Sequence, residues 1–442
     1  MYCYNVHEIQ QIDEMVKNLI ELLIIADDLT GALDTSVQFA KASVDTRLVI
    51  DAERMFDGLA DDARVLVVSS ETRHLSPSEA YRIIYDLTSR AIEAGVQMIY
   101  KKTDSVLRGN VGSELQALLC ASHAQYLPFV PAFPELGRTT RNGVQYVNGI
   151  PIHESVFGSD PFEPVTDAYI PALIARQSAV PSACVQDADG FAALMQRGFR
   201  GVMIFDCQTT PQMRRIVGCL AGNQRPMILS GCAGCAMALA EWFGQRPHSR
   251  HRHSEEKLWP QAPGMLVISG SLNPVTHRQI DFAIHHGFVQ VPLDDRQKFQ
   301  VGYFASREGR DFVKYLMNMY AANPHLILAS ERMETEPVPE GRSRVSENLG
   351  CLARALLEQG MEGTLFVIGG DTLMGVLREL GCHSMRPLRE FLPGTVLSCA
   401  SAQGREFYIV SKSGGFGDEH LLVNIRQIIQ RRQQKELRYP HA

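Results

Sequence analysis

From Leu22 onward, short apolar runs recur along the chain, separated by segments with helical spacing. The first of them are Leu22–Ala26, Arg47–Ile50, Val65–Val68, Val96–Tyr100 and Tyr126–Val130, followed by Val202–Phe205 and Met227–Leu229. Runs of about five residues without apolar/polar alternation are the mark of strands buried on both faces. Strands of that kind belong to mostly parallel sheets, because each crossover helix covers one face of the sheet. The chain is therefore expected to be α/β.

The pattern breaks at Gln245–Gly264, where Arg246 to His253 form a polar, basic stretch closed by Pro260 and Pro263. It then restarts with Met265–Ile268, Phe288–Val291, Leu326–Leu328, Leu365–Ile368, Val396–Leu397 and Phe407–Val410. At 442 residues, and with roughly 150 residues per domain as a guide, two domains are expected, each a mostly parallel sheet flanked by helices, with a cleft between them. The first spans 1–245 with an extra N-terminal segment 1–21, a linker spans 246–263, and the second spans 264–442. Val6, Ile9, Met15, Val16 and Leu19 predict a short extra helix in the N-terminal segment. Three histidines in the linker lack the carboxylate or cysteine spacing of a metal site, so the stretch reads as an exposed connection.

Net charge of -6 argues against a nucleic-acid partner, which wants a basic face. No apolar stretch is long enough to span a membrane. Glu8, Asp13 and Glu14 precede the first apolar run, which is wrong for a secretory signal. The ten cysteines are scattered, with one close pair at Cys232 and Cys235 in a run of small residues. Reduced thiols filling tight space, in a cytoplasmic protein, is the expectation.

In an open α/β sheet ligands gather at the C-terminal edge of the strands, and three polar segments sit there. The densest is Lys101–Asn110, which offers Lys101, Lys102, Thr103, Asp104, Ser105 and Arg108 between a strand and a helix. That set suits a small anionic, hydroxylated ligand. Asp27 and Asp28 follow the first strand. A carboxylate there can cap the next helix, or hold, orient or deprotonate a hydroxyl; Asp28 is assigned the second role and Asp27 that of neighbour or cap. Arg73, after the third strand, offers a planar fork for a carboxylate or an ordinary ion pair, with His74 as its structural neighbour. Pro131–Thr140 is expected as a loop in which Arg138 and the threonines complete a pocket, and Asp160–Val165 as a rigid crossing segment.

The second domain has three glycine-bearing turns after strands: Ser269-Gly270-Ser271, Gly369-Gly370-Asp371-Thr372 and Ser413–Gly417. Glycine lets backbone N–H groups approach phosphate oxygens, and a helix N-terminus favours negative charge. Ser271, Gly369, Gly370, Asp371, Thr372 and Gly414 are therefore the candidate nucleotide site. Asp371 reaches a metal through water or caps its helix. Neither GxxxxGK[ST] nor GxGxxG after a strand is present.

Taken together, Ala26–Ala32, Lys102–Ser105, Arg108-Gly109-Asn110, Pro131–Pro134, Gly137–Thr139, Ser269–Ser271, Gly369–Thr372 and Lys412–Gly417 resemble the four-carbon acid sugar kinase family over about residues 22–430. The resemblance implies an N-terminal sugar-acid domain, a C-terminal nucleotide domain, and ATP-dependent phosphorylation of a C4 sugar acid at its terminal hydroxyl. The Lys-Thr-Asp-Ser loop and Leu29 look like the D-threonate and D-erythronate kinases; the 3-oxo-tetronate kinases usually carry Phe in place of Leu29. The expected activity is a D-threonate 4-kinase, with D-erythronate or 3-oxo-tetronate as alternative acceptors. Phosphoryl transfer asks for charge placement, and Mg²⁺ is expected because it bridges phosphates. The partners are then a sugar acid and ATP, with a homodimer as a further expectation. Two other classes remain: an aldolase or isomerase using Lys101 or Lys102 as an amine, which leaves the glycine turns unexplained, and a sugar-acid sensor.

Overall fold

Contacts divide the chain into two compact units, residues 1–252 and 253–442. The computed structural model describes residues 20–56, 63–160, 163–221, 227–246, 259–260, 262–330, 339–402 and 404–438. The expected N-terminal helix, most of the expected linker and part of the Asp160–Val165 segment lie outside the described residues.

In the first unit the strands are β1 (Leu22–Ala26), β2 (Thr46–Val49), β3 (Val65–Ser69), β4 (Met98–Lys102), β5 (Tyr126–Val130), β6 (Arg138–Arg141), β7 (Val144–Val147), β8 (Ile150–Pro151), β9 (Ser182–Val185), β10 (Gly201–Phe205) and β11 (Met227–Gly231). Eight of them form a parallel sheet in the order β2-β3-β1-β4-β11-β5-β10-β9. The expected parallel α/β architecture is what forms, and β1, β3, β4, β5, β10 and β11 are buried along their whole length. After β1 the chain fills β2 and β3 on one side, then crosses to β4 on the other. This is the switch point at which crossovers diverge and leave a crevice. Register brings Ala26 level with Ser69 on one neighbour and Lys102 on the other, with Gly231 beyond Lys102.

Two features depart from the expected layout. Lys101 and Lys102 belong to β4 itself, so the polar loop starts at Thr103. The segment expected as a loop around Arg138 is instead strand β6 of an antiparallel sheet, β6-β7-β8. Its turns are Asn142-Gly143 (φ 52° and 71°) and Asn148-Gly149 (φ 51° and 83°). Asn-Gly pairs with both residues at positive φ are the preferred two-residue hairpin connections, so this signal stood in the sequence and was missed.

The second unit has β12 (Met265–Ser269), β13 (Val289–Leu293), β14 (His325–Ser330), β15 (Thr364–Ile368), β16 (Ser384–Leu392), β17 (Thr395–Ala402) and β18 (Arg405–Lys412), in the order β13-β14-β12-β15-β18-β17-β16. β13 to β18 in that order run parallel, while β17 and β16 continue antiparallel. Again the chain goes from β12 to one side and returns to the other with β15. Ser269, Ile368 and Lys412 are level at the C-terminal ends of β12, β15 and β18. Each glycine turn thus leaves from the same edge.

Candidate functional site

In the first unit the β1–β4 crevice holds an interlocked set of charges. Asp28 is the N-cap of helix Leu29–Lys41, its Oδ1 accepting the Gly31 N–H at 2.9 Å. Its Oδ2 lies 2.8 Å from Arg73 Nη1. Asp27, expected as neighbour or cap, is the buried neighbour: Arg73 donates to its Oδ2 from Nε at 2.8 Å, with Nη2 at 2.7 Å. The reason is geometric. The helix starts at Leu29, so only Asp28 stands where a side chain can reach the free N–H groups of the first turn. Arg73 is therefore already forked across two carboxylates, with Asp104 Oδ1 at 3.9 Å.

Lys102 Nζ faces Asp27 Oδ1 at 3.7 Å. A Cβ on Gly31 would collide with that ammonium, so glycine here leaves room for it. Among the described residues, Asp27 Oδ1 and the buried Thr103 hydroxyl have no hydrogen-bond partner. Unpaired buried polar atoms at a strand edge are what a polar ligand satisfies. Burial pushes the Asp27 carboxyl up, but Arg73, Lys102 and Lys101 outweigh it and hold it below its ordinary value. Burial pulls the Lys102 ammonium down, and Asp27 and Asp28 more than reverse this. Lys102 thus stays charged.

The rest of the loop is braced. Asp104 accepts Arg108 Nε at 3.0 Å and Nη2 at 3.1 Å, plus the Val106 and Arg108 amides at 3.3 Å. Burial opposes its ionisation, yet Arg108 and Arg73 hold its carboxyl far below the usual range. Ser105 is half-buried, and its carbonyl accepts Gln145 Nε2 at 3.0 Å. The Thr103 amide donates to Gly231 O at 2.8 Å. Asn110 ties the loop to the β3 turn by donating to Thr72 O and Leu75 O. Lys101 points away from this set, pairing with buried Glu114 at 3.0 Å and donating to Lys102 O at 2.8 Å. His74 is exposed and faces Glu163 at 2.9 Å. Arg138 donates to Leu136 O, and its buried Nε has no partner among the described residues.

Asp28, Arg73, Lys102, Thr103 and Asp104 are thus brought together, while Arg108 reaches them through Asp104. Counting Asp27, three carboxylates face three cations. The set is balanced in charge, and Lys102 is the one of its cations with no hydrogen bond among the described residues. An amine nucleophile needs a depressed pKa that frees the lone pair, and Lys102 is instead held protonated by Asp27 and Asp28; Lys101 is engaged by Glu114 and by the Lys102 carbonyl.

Behind the crevice, Cys232 Sγ donates to Ala132 O at 3.1 Å and Tyr100 Oη to Cys232 O at 2.7 Å. Burial pushes the Cys232 and Cys235 thiols above their ordinary range, and Cys207 up to about 12. Thiolate is the reactive form, so these three should resist alkylation of the native protein at neutral pH while exposed Cys120 and Cys219 react. Site-resolved mass spectrometry after iodoacetamide treatment checks this; early labelling of Cys232 would contradict it.

In the second unit the three turns meet. Ser271 precedes helix Pro274–His285, capped by Asn273, whose Oδ1 accepts the Val275 amide at 2.9 Å. Thr276 Oγ1 of that helix donates to Gly414 O at 2.9 Å and lies 3.3 Å from Ser271 Oγ. Gln279 Nε2 donates to Phe416 O and Asp418 O, both at 2.9 Å. The Gly369 amide donates to Lys412 O at 2.9 Å. Gly369, at φ 106°, turns the chain into helix Gly370–Glu379, a conformation side chains disfavour. A Cβ on Gly414 would stand 2.8 Å from Ser271 Oγ, and one on Gly270 2.5 Å from Thr372 Oγ1. Ser271, Gly369, Gly370, Thr372 and Gly414 therefore line one small region, with exposed Asp371 in the first helical turn. Lys412, which ends β18 with its ammonium against Thr276 and Gly414, opens the Lys412–Gly417 motif but was not among the candidate nucleotide-site residues. Its signal was position: a lysine closing an apolar run before a glycine turn.

Among the described residues no group of three or more His, Cys, Asp or Glu side chains could hold a metal, and no helix is long and apolar enough to cross a membrane.

Comparison with known proteins agrees with both halves. Residues 22–239 match the family described as Sugar-binding N-terminal domain, and residues 266–422 match Nucleotide-binding C-terminal domain. The chain is 29% identical to the D-threonate kinase of Salmonella typhimurium over 91% of this chain and 97% of that protein. It is 25% identical to the 3-oxo-tetronate kinase of the same organism over 93% and 100%. A solved Salmonella typhimurium structure, 22% identical, superposes with a TM-score of 0.76 over 91% of this chain and 98% of that one, and shares the fold. With family matches over both halves and kinases aligned from end to end, the chain belongs to the four-carbon acid sugar kinase family and is a phosphotransferase with a hydroxyl group as acceptor.

Proposed function

We propose that this protein uses ATP to phosphorylate the terminal (4-) hydroxyl of D-threonate, with the acid held in the first unit and the nucleotide in the second. The observation that carries the reading is the convergence of Ser271, Gly369–Thr372 and Gly414 at the switch point of the second sheet. Backbone N–H groups at a helix start, small hydroxyls and no bulky side chain make an anion cradle. In the first unit Lys102 and Arg73 supply charge for the acid's carboxylate, and Thr103 and Ser105 supply hydroxyls for the sugar chain. Asp104 and Arg108 brace the loop. Asp28 orients the reacting hydroxyl and takes its proton.

A nucleotide-borne Mg²⁺ fits Asp371, an exposed carboxylate beside the cradle: Mg²⁺ is usually held by one or two carboxylates, phosphates and water. When bound, it would neutralise phosphate charge as the transferred group moves.

D-threonate is preferred over D-erythronate and 3-oxo-tetronate on Leu29, on the Lys102–Ser105 loop and on the likeness to D-threonate kinase; proteins named for the other two acceptors are also similar. An ADP-coupled assay over a panel of C4 acids tests this. D-threonate should give the highest kcat/KM. Turnover only with another C4 acid would change the acceptor, and no ADP from any of them would remove the kinase reading.

Arg73→Ala should raise the KM for the acid roughly 10- to 100-fold, the range for a lost charge-assisted hydrogen bond, with little change in the KM for ATP. It should also lower the melting temperature, because Asp27 and Asp28 lose their shared counter-ion. Equal rises in both KM values would count against Arg73 as an acid-binding residue.

A further inference from the structure

Among the described residues four lysines are buried: Lys101, Lys102, Lys298 and Lys412. Three of them face a carboxylate, at 3.0 Å from Glu114, 3.7 Å from Asp27 and 2.8 Å from Asp295. Lys412 does not. It is 2% exposed, and its Nζ donates to two neutral acceptors, Gly414 O at 2.8 Å and Thr276 Oγ1 at 3.3 Å. An ammonium taken out of water without a counter-charge is costly. It persists where something else is gained by keeping it.

The position says what is gained. Lys412 ends β18, level with Ile368 of β15 and so one strand from Ser269 of β12. Its own carbonyl holds the Gly369 amide, and its two acceptors belong to the turn that carries Gly414 and to the helix that Ser271 precedes. It is thus the one buried cation at the convergence of the three turns among the described residues. The cradle otherwise offers neutral donors.

We propose that Lys412 is the positive charge that pairs with the nucleotide phosphates in the second unit. This rests on the reading of that unit as the nucleotide site. The side chain would exchange its neutral acceptors for phosphate oxygens, with Thr276 and Gly414 holding it ready until then.

A consequence concerns protons. Burial alone pulls the Lys412 ammonium down to about 7. The charged groups on the elements packed around it are His277 and Arg278 on the first helix, Asp371 on the second and Asp418 after the turn, and burial is the cause of the shift. A phosphate beside the ammonium raises its pKa again. Above pH 7 nucleotide binding must therefore draw a proton onto Lys412, and affinity must fall as pH rises through this region until the bound-state pKa is reached.

Titration calorimetry on the full-length protein tests this, with ATP and D-threonate as separate ligands at pH 6.5 and 8, each in two buffers of different ionisation enthalpy. The wild type should take up a proton with ATP at pH 8 and bind ATP more weakly there than at pH 6.5. Lys412→Met keeps the apolar stem and loses the charge. It should bind ATP about 10- to 100-fold more weakly, show no ATP-linked proton uptake, and bind D-threonate as the wild type does. Wild-type ATP affinity in Lys412→Met would overturn the proposal. So would buffer-independent ATP heats in the wild type at pH 8, a measurement that needs no variant to fold. If the wild type binds no ATP at all, the nucleotide reading itself fails, which is a different result from ATP binding that ignores Lys412.

Discussion

Asp28→Asn should lower kcat by roughly 10²- to 10⁴-fold, the usual contribution of a positioned acid–base group, while leaving the fold intact. Asparagine caps a helix about as well as aspartate, so the contact to the Gly31 amide survives. Arg73 also stays in place, because Asp27 still accepts its Nε and Nη2. What disappears is the carboxylate able to orient the acceptor hydroxyl and take its proton. The ADP-coupled assay gives kcat and both KM values, and a thermal melt gives the control on folding. Turnover close to wild type would reduce Asp28 to a cap and ion-pair partner. Asp104 would be a poor substitute, since Arg108 and Arg73 hold its carboxyl far below the range of a useful base.

Gly414→Val should weaken ATP binding at least about tenfold, with D-threonate affinity unchanged. The first added carbon already stands 2.8 Å from Ser271 Oγ and 3.5 Å from Asn273 Cβ, so the branched side chain must displace Ser271 or enter the cradle. Overpacking of this kind costs typically 1–3 kcal/mol. The backbone cannot easily yield, because the Gly414 carbonyl is held by both Thr276 and Lys412. Calorimetry with each ligand separates the outcomes. Loss of D-threonate binding with ATP affinity retained would mean that the roles of the two units are reversed.

The edge of each sheet at which the candidate residues gather was legible because of how parallel strands are built. A strand buried on both faces writes an unbroken apolar run, and the loop at its ligand-facing end writes polarity or glycine. Asp27-Asp28, Arg73, the Lys102–Arg108 loop and the three glycine turns were all read in this way, and the structure gathers each set at one switch point. The β6–β8 hairpins were missed although two Asn-Gly pairs announced them, because polar short strands lack the apolar run that marked the others.

What stayed hidden depended on neighbours distant in sequence. Which of two adjacent aspartates caps the helix and which is buried turned on where the first helical turn begins and on Arg73, brought alongside by β3. That Lys101 and Lys102 point to opposite faces follows from the alternation of side chains along β4, but that Glu114 meets the first was decided by the helix Val111–Ser122 and that Asp27 meets the second by the pairing of β1 with β4. Lys412 shows the limit most plainly. The sequence by itself determined that a lysine ends an apolar strand before a glycine turn, since local backbone geometry is written in local composition. Only the tertiary structure decided that this lysine is buried with no carboxylate paired to it among the described residues, because burial and charge pairing are set by strand order and by which helices cover the sheet.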